Sequence, residues 1–380
     1  TVTFGALKPG LVLAPGRLVL QPGSERRRTS SHYTPRSLTE PIVRKTLEPL
    51  LAAMGPAPAS QRLLSLKICD PAMGSGAFLV EVVRYLGDQL VAAWTREGDL
   101  SRIADAHEDV VMHARRLVAQ RCVYGVDKNR FAVDLARLSL WLVTLAKNLP
   151  FTFVDHALRH GDTLVGLSLD QIRAFHWDPG AQLELVETEI QRALDEAVSL
   201  RQEICDLAEA ADSTSHRTRS RLLRDADDAA SRTRLLADVI VGAFFSKDKP
   251  KDREQERKRR LDMDTPWLSS GEPPTVELLQ LQAEIREQLP TFHWPLEFPE
   301  IFSAERQDPL DNDNANKAAA MDAFVGNPPF AGKNSITSAS GPYYLEWLQA
   351  LHKGAHGNAD LSAHFFRRAD TLLGAHGTIG

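Results

Sequence analysis

The sequence predicts an α/β protein built on a parallel sheet, because short apolar strands alternate with segments whose apolar residues recur at helical spacing. Two units carry this prediction. Residues 66–94 contain an apolar strand, a Gly-rich turn and apolar residues that recur at helical spacing. Residues 122–149 repeat the arrangement with the strand "CVYGVD" and the run "RFAVDLARLSLWLVTLAKNL". This run is apolar nearly all round, so it predicts a buried helix.

The remaining segments are interpreted in chain order. Residues 1–30 are rich in Pro and Gly and predict a loose arm or small hairpin, with a helix after it. Residues 180–245 carry two helical stripes separated by "ADSTSH", which is typical of an antiparallel helical hairpin inserted between strands. The basic run at residues 247–260 predicts a solvated loop, with a DNA contact as the alternative. "AFVGNPPF" resumes the sheet, and residues 361–380 predict a helix and the start of a strand.

Composition and charge argue against several classes of protein. The chain has 380 residues, of which 43% are hydrophobic and 25% charged, as expected for a soluble protein of two or three domains. It contains no apolar run of about 18 residues and no leader pattern, which predicts a cytoplasmic protein without a membrane span. Its three cysteines lie far apart, so neither a disulfide framework nor a metal site is expected. A net charge of -5 does not by itself indicate nucleic acid.

The first turn, "DPAMGSGAF", has the form of a ligand-binding loop. Asp70 ends a strand, and Gly74 and Gly76 then lead into a helix, which directs backbone N–H groups and the helix N-terminus toward a ligand. Leu79 occupies the third glycine position of the dinucleotide fingerprint, so that fingerprint is not matched. A tight strand-to-helix connection is the structural alternative. The Asp70 carboxylate would lie where a cationic amine could bind.

Two further acids follow later strands. Asp127 ends "VYGVD", at the position where a carboxylate can accept hydrogen bonds from both hydroxyls of a ribose. Asp162, in "HGDTL", could accept a hydrogen bond from an adenine amino group. A surface acid and a helix cap are the respective alternatives.

The stretch "GNPPFAGKN" is suited to holding a planar amine. It has the wrong spacing for a phosphate-binding P-loop, and Asn334 replaces the hydroxyl residue that would bind magnesium. The Asn327 side chain and the Pro328 backbone each offer a carbonyl to an amine hydrogen. Phe330 can stack on a flat base. A structural double-proline turn is the alternative.

Together these motifs resemble those of S-adenosylmethionine-dependent amino-methyltransferases, and most closely those of DNA adenine-N6 methyltransferases. "DPAMGSGAF" is similar to that family's cofactor loop, "NPPF" to its catalytic tetrad, and "HYTP" to the segment over the cofactor's methionine end. The motif order is that of the gamma class, and the match covers about residues 31–170 and 295–380. Large phage-defence and restriction-modification methylases have similar long insertions. The resemblance implies a Rossmann-like class I methyltransferase sheet. This chain is expected to end near the fifth strand, so that the sheet would be truncated at its C-terminal end.

The resemblance also implies roles for individual residues. Asp127 would bind the ribose of S-adenosylmethionine, and Asp162 the amino group of its adenine. The residues that would contact the methionine part are Thr34, Asp70, Pro71, Ala72, Gly74, Gly76 and Phe78.

By the same resemblance, the substrate would be a flipped adenine in double-stranded DNA, methylated at its exocyclic N6. The tetrad of Asn327, Pro328, Pro329 and Phe330 would be catalytic: the first two residues would hold the target amine, and Phe330 would stack on the target base. No metal is implied.

A division of the chain follows from this assignment. Residues 1–60 would form an arm and a helix over the cofactor, and 61–170 the cofactor-binding half. Residues 171–300 would be a mostly helical, coiled-coil-like insertion that could join other subunits of a defence complex. Residues 301–380 would form an incomplete catalytic half. The alternatives are a methyltransferase for ribosomal RNA guanine or protein glutamine, and a non-catalytic subunit that binds cofactor and DNA.

Overall fold

The computed structural model describes most of the chain, in ranges separated by short gaps. These are residues 34–106, 109–144, 154–181, 187–207, 213–270, 273–304, 306–310, 315–316 and 320–380. The predicted arm at residues 1–30, and the His32–Tyr33 part of "HYTP", lie outside the described residues.

A five-stranded parallel sheet lies at the centre of the fold. Its strands are β1 (Ile68–Asp70), β2 (Val123–Asp127), β3 (Leu158–His160), β6 (Met321–Phe324) and β7 (Leu373–Ile379); a separate antiparallel pair is formed by β4 (Arg306–Gln307) and β5 (Ala315–Asn316). The order in the sheet is β3-β2-β1-β6-β7, and every pairing is parallel. The predicted Rossmann-like α/β fold is confirmed.

The strand order reverses beside β1. The chain moves outward from β1 to β3 and later returns to place β6 on the other side of β1, with Cys69 opposite Phe324. In open parallel sheets the crevice outside the carboxyl ends of the strands at such a reversal is the usual ligand site. The loops after β1 and β6 meet there.

Helices cover the sheet and form a second cluster beside it. The first group is α1 (Arg36–Ala53), α2 (Ser60–Ser65), α3 (Ala77–Glu97), α4 (Leu100–Ala106), α5 (Val110–Arg121), α6 (Arg130–Val143) and α7 (Leu169–Arg173). The second group is α8 (Glu187–Asp206), α9 (Ser213–Ala229), α10 (Ser231–Phe245), α11 (Pro250–Ser270), α12 (Val276–Gln288), α13 (Trp294–Glu297), α14 (Pro299–Phe302), α15 (Lys333–Ser340), α16 (Tyr344–Leu351) and α17 (Leu361–Leu372). None of the described helices is long and apolar enough to cross a membrane.

Three apolar clusters of the described residues hold these elements in place, and two of them bear on the site. One joins α1, α3 and α5 to the central strands through residues such as Leu47, Leu79 and Leu86, all fully buried. The other surrounds α10, whose side chains are buried on nearly every face, and includes Tyr344 and Trp347 of α16. The second cluster therefore ties the helical insertion to the segment that follows "NPPF".

The prediction that the helix after β2 is buried is wrong for one of its faces. Phe131 of α6 is 68% exposed, and Leu135, Leu138 and Leu142 are also exposed. Their spacing places them on one face of the helix. The opposite face, which includes Ala136 and other small residues, packs against the Gly-rich loop and the core. The composition of the run identified a helix, but it did not show which face of that helix is buried against the rest of the protein.

The predicted helical hairpin is present, but its second stripe is divided between two helices. α8 and α9 pack closely against each other. A break at Ala230 then starts α10, so the end of the stripe at Leu236 and Val239 belongs to a buried core helix. Part of the predicted hairpin is therefore built into the core of the protein.

The prediction of a solvated basic loop at residues 247–260 is also wrong. This segment enters α11, in which Arg253, Arg257 and Arg260 are buried. Arg257 donates to the Phe175 carbonyl at 3.0 Å, and Arg260 donates to the Val239 carbonyl at 2.9 Å. Arg257 therefore connects α11 to the loop after α7, and Arg260 connects α11 to α10.

Candidate active site

The loops that carry "DPAMGSGAF" and "NPPF" touch at the carboxyl edge of the sheet. The Val325 N–H donates to the Cys69 carbonyl at 3.0 Å, which extends the β1–β6 pairing to the start of the tetrad. At Gly326 a Cβ atom would lie 2.6 Å from Oδ1 of Asp70. Only a glycine backbone fits against this carboxyl group without displacing it. The structure thus places the two motifs in direct contact.

The Gly-rich loop is fixed by its conformation and by β2. Gly74 and Gly76 have φ angles of 54° and 79°, in the left-handed region that favours glycine. The Met73 N–H donates to the Val126 carbonyl at 3.0 Å, and the Gly74 N–H donates to Asp127 at 2.8 Å. The loop therefore enters α3 in one defined path, with Gly76 as the residue before the helix.

Three other predicted loop residues have structural partners. The Ala72 N–H donates to Oδ1 of Asp70 at 3.1 Å, and the Pro71 carbonyl accepts from the Thr163 hydroxyl at 3.0 Å. Phe78 is buried among the apolar residues of the first cluster. Its contacts are those of a core residue that supports the loop, and its role in cofactor binding stays a prediction.

Asp70 is a buried acid at the centre of this edge. It is 1% exposed, and burial raises its pKa from the ordinary 3.8 to about 8. The hydrogen bond from Ala72 opposes this rise in the pKa, and the nearby Asp127 charge adds to it. The carboxyl group therefore tends to hold its proton at neutral pH unless a cation lies against it.

Asp127 is held by backbone groups at the end of β2. Its two carboxylate oxygens accept from the N–H groups of Gly74 and Asn129, at 2.8 and 2.7 Å. Burial raises its pKa, while these two hydrogen bonds oppose the rise. Each carboxylate oxygen can accept more than one hydrogen bond, so the group retains acceptor capacity for a ribose.

Asp162 lies beyond the end of β3 and already has several donors. The Tyr344 hydroxyl lies 2.9 Å from both carboxylate oxygens, and the Leu164 N–H donates at 3.1 Å. The Lys128 ammonium forms an ion pair with Oδ2 at 2.9 Å. Lys128 and Tyr344 were not predicted from the sequence. The position of Lys128 directly after Asp127 could have indicated it, whereas Tyr344 has no local signal.

The tetrad presents a polar group and an aromatic ring at the surface. Asn327 is exposed, and its amide nitrogen donates to the Thr34 hydroxyl at 3.5 Å. This orientation leaves the side-chain carbonyl of Asn327 to accept from an incoming amine. Phe330 is 68% exposed, and Pro328 and Pro329 are partly buried. Thr34, predicted to lie over the cofactor, contacts the tetrad itself.

A cavity of about 280 Å³ opens beside this edge, between α1, α3 and α6. Thr34 and Ser75 line it together with residues of the three helices. Asp70, Asp127 and Asn327 do not line it. The cavity therefore adjoins the place where the motifs meet but is not that place.

Comparisons with known proteins identify the family to which the chain belongs. The model of the Eco57I restriction-modification methylase family matches residues 121–380, and that of the MmeI DNA-methyltransferase domain matches residues 57–167. The chain is 25% identical over 132 residues to the type II restriction enzyme and methyltransferase RM.Eco57I of Escherichia coli. It is 24% identical over 312 residues to the putative type II restriction enzyme and methyltransferase RM.MjaORFECS2P of Methanocaldococcus jannaschii.

These matches differ in coverage. The match to RM.Eco57I covers 34% of this chain and 13% of that relative's length. The match to RM.MjaORFECS2P covers 72% of this chain and 22% of that relative's length. The family match extends over more than half of the chain and includes β2, β3, β6 and the whole tetrad. The chain belongs to the Eco57I restriction-modification methylase family of DNA methyltransferases.

Proposed function

We propose that this chain carries the catalytic edge of a DNA adenine-N6 methyltransferase that uses S-adenosylmethionine. We further propose that it serves as the modification component of a restriction or phage-defence system. The observation that carries the proposal is the contact between Asp70 and Gly326, which joins the Gly-rich loop to the tetrad at the strand-order reversal. A methyl donor and an amine acceptor must meet in this way for transfer to occur.

The groups at this edge suit the proposed cofactor. When bound, S-adenosylmethionine supplies a methyl group on a sulfonium sulfur, which a nucleophilic nitrogen can attack. Asp70, buried and with a raised pKa, is suited to an ammonium partner that would stabilise its charged form. Asp127 would accept from the ribose hydroxyls, and Asp162 from the adenine amino group. The Gly74–Gly76 turn would bring the backbone close to the ligand.

The tetrad would hold the target base. The carbonyl of the Asn327 side chain and the carbonyl of Pro328 would each accept one hydrogen of the adenine amine. Pro329 has no N–H group that could compete for these acceptors. Holding both hydrogens favours a tetrahedral nitrogen and turns its lone pair toward the methyl group. Phe330 would stack on the base, which must leave the duplex at a cost of about a few kcal/mol.

The reaction can be tested by nucleoside mass spectrometry. The protein, with any native continuation of the chain, is incubated with S-adenosylmethionine and unmethylated duplex DNA, which is then digested to nucleosides. We expect N6-methyladenine in the digest. DNA without N6-methyladenine, despite bound cofactor, would contradict the proposal. Parallel reactions with ribosomal RNA and with proteins then test the alternative substrates.

The role of the tetrad is tested with Asn327→Ala. We expect the variant to form no N6-methyladenine, because one of the two acceptors for the amine is lost. Binding of S-adenosylhomocysteine, measured by calorimetry, should stay within a few-fold of wild type. Asn358→Ala, at another exposed asparagine, is the matched control and should retain activity. Wild-type methylation by Asn327→Ala, or a collapse of its cofactor binding, would show that the assigned role is wrong.

A further inference from the structure

The Asp162 carboxylate has three kinds of donor, and they differ in how firmly they are held. Asp162 is 4% exposed and Tyr344 only 2%, and Tyr344 belongs to the second apolar cluster. The Leu164 donor is a backbone N–H two residues further along the chain. The Lys128 side chain, by contrast, is 47% exposed. Lys128 is therefore the donor that can leave Asp162 without disturbing the core.

The Lys128 ammonium also links β2 to the segment after the tetrad. It lies 5.1 Å from the centre of the Tyr344 ring and donates to the Ser340 hydroxyl at 3.4 Å. Its attachments are thus made by the terminal nitrogen alone, at the end of a flexible stem. Movement of this one group would break its contacts with Asp162, Ser340 and Tyr344 together.

From this geometry we infer that Lys128 occupies the place proposed for the cofactor's adenine and can be displaced from it. Lys128 would then compete with the adenine amino group for the Asp162 carboxylate. The inference rests on the proposed function. Both groups are N–H donors, and Lys128 already pairs with Oδ2 of this carboxylate. Lys128 acts as a positioning residue: it keeps the carboxylate paired before the cofactor arrives and lowers the net affinity for the cofactor by the cost of its displacement.

After this exchange the Asp162 carboxylate would still have a second cation near it. The Arg368 guanidinium interacts electrostatically with Asp162 and donates to the Gly166 carbonyl at 3.5 Å. A buried carboxylate that loses its only cation is strongly destabilised, whereas one with a second cation nearby is less so. Arg368 therefore makes the departure of Lys128 feasible.

The test is calorimetric binding of S-adenosylhomocysteine to the wild type, Lys128→Met, Lys128→Arg and Lys251→Met. Met has a similar length without the charge, so we expect Lys128→Met to bind about two- to five-fold more tightly, as for a half-exposed ion pair. Lys128→Arg retains a competing cation and should resemble the wild type. Lys251→Met, at an exposed lysine of α11, is the matched control and should also resemble it. The gain should shrink in high salt, which screens the ion pair.

Two outcomes would overturn the inference alone. Equal affinities for the wild type and Lys128→Met would show that Lys128 does not compete with the ligand. Weaker binding by Lys128→Met would show that Lys128 contacts the ligand directly. A wild type that fails to bind S-adenosylhomocysteine would instead overturn the proposed function, and this inference with it.

Discussion

The Asp70 carboxyl group makes the stability of the fold depend on pH in a direction opposite to that of most acids. In the unfolded chain it loses its proton near its ordinary pKa of 3.8, whereas in the folded chain it keeps the proton up to about pH 8. Between these values the folded state holds the extra proton, so stability falls as pH rises. The contribution is complete below the unfolded pKa and is lost as pH passes through the folded pKa.

This dependence can be measured with Asp70→Asn, which has a similar shape and does not titrate. Between pH 5 and pH 7 the free energy of unfolding of the wild type should fall relative to the variant, by up to about 1.4 kcal/mol per pH unit. Urea unfolding of both proteins at several pH values provides the measurement. A constant difference between them across this range would show that Asp70 titrates normally.

The same residue predicts that ligand binding releases protons. If the ammonium of S-adenosylhomocysteine lies against Asp70, it favours the charged carboxylate and expels the proton that the free protein holds at pH 7. We expect a release of up to about one proton per ligand bound at that pH. Calorimetry in buffers of different ionisation enthalpy measures this number. Asp70→Asn should release fewer protons, and equal release by both proteins would contradict the prediction.

At the scale of elements, the end of β6 depends on a glycine that nothing larger can replace without movement. An alanine at Gly326 would bring its Cβ within 2.6 Å of Oδ1 and 3.1 Å of Cγ of Asp70. We expect Gly326→Ala to lower the free energy of unfolding by about 1–3 kcal/mol, as overpacked sites do. Gly332→Ala is the control, because its Cβ would meet nothing within 4 Å and its φ is -76°. Equal urea midpoints for the two variants would show that Gly326 is not tightly packed against the Asp70 carboxyl group.

The buried arginines of α11 predict a second element-scale effect. Arg257 donates to the carbonyl of Phe175, a buried residue with a positive φ of 45°. Arg257→Ala should lower the free energy of unfolding by about 1–3 kcal/mol, because it leaves that carbonyl without a donor. Lys258→Ala, at the neighbouring side chain that is 67% exposed, should change it by no more than about 0.5 kcal/mol. Denaturant unfolding compares them, and similar losses would show that α11 is not anchored through Arg257.

α6 and α11 show where periodicity stops being informative. The run of α6 was identified as a helix, whereas the basic run that enters α11 was interpreted as a loop. In both, the side chains face neighbours that come from distant parts of the chain. The apolar stripe of α6 at Phe131 is exposed, while Arg257 of α11 is buried against a loop far away in sequence. The spacing of residues along a helix shows which side chains share a face. Only the tertiary arrangement decides which face is buried.

At the scale of the whole molecule, the position of three acids of the candidate site was predictable, because each of them follows a parallel strand. Asp70, Asp127 and Asp162 lie at or just beyond the ends of β1, β2 and β3, and parallel strands bring their carboxyl ends to one edge. The contact between Asp162 and Tyr344 was not predictable, since it joins residues that no local spacing relates. The placement of β6 beside β1 was not predicted either, because the sequence indicated only that this segment resumes the sheet.

The sheet order also has a consequence for how the chain is made. β1 can pair with β2 once both are synthesised, but its other neighbour, β6, follows only after the whole helical insertion. During that interval one side of β1 exposes unpaired N–H and C=O groups, which can pair with the edge strand of another chain. The nascent protein is therefore most prone to aggregation while the insertion is being translated, and the arrival of β6 ends that period.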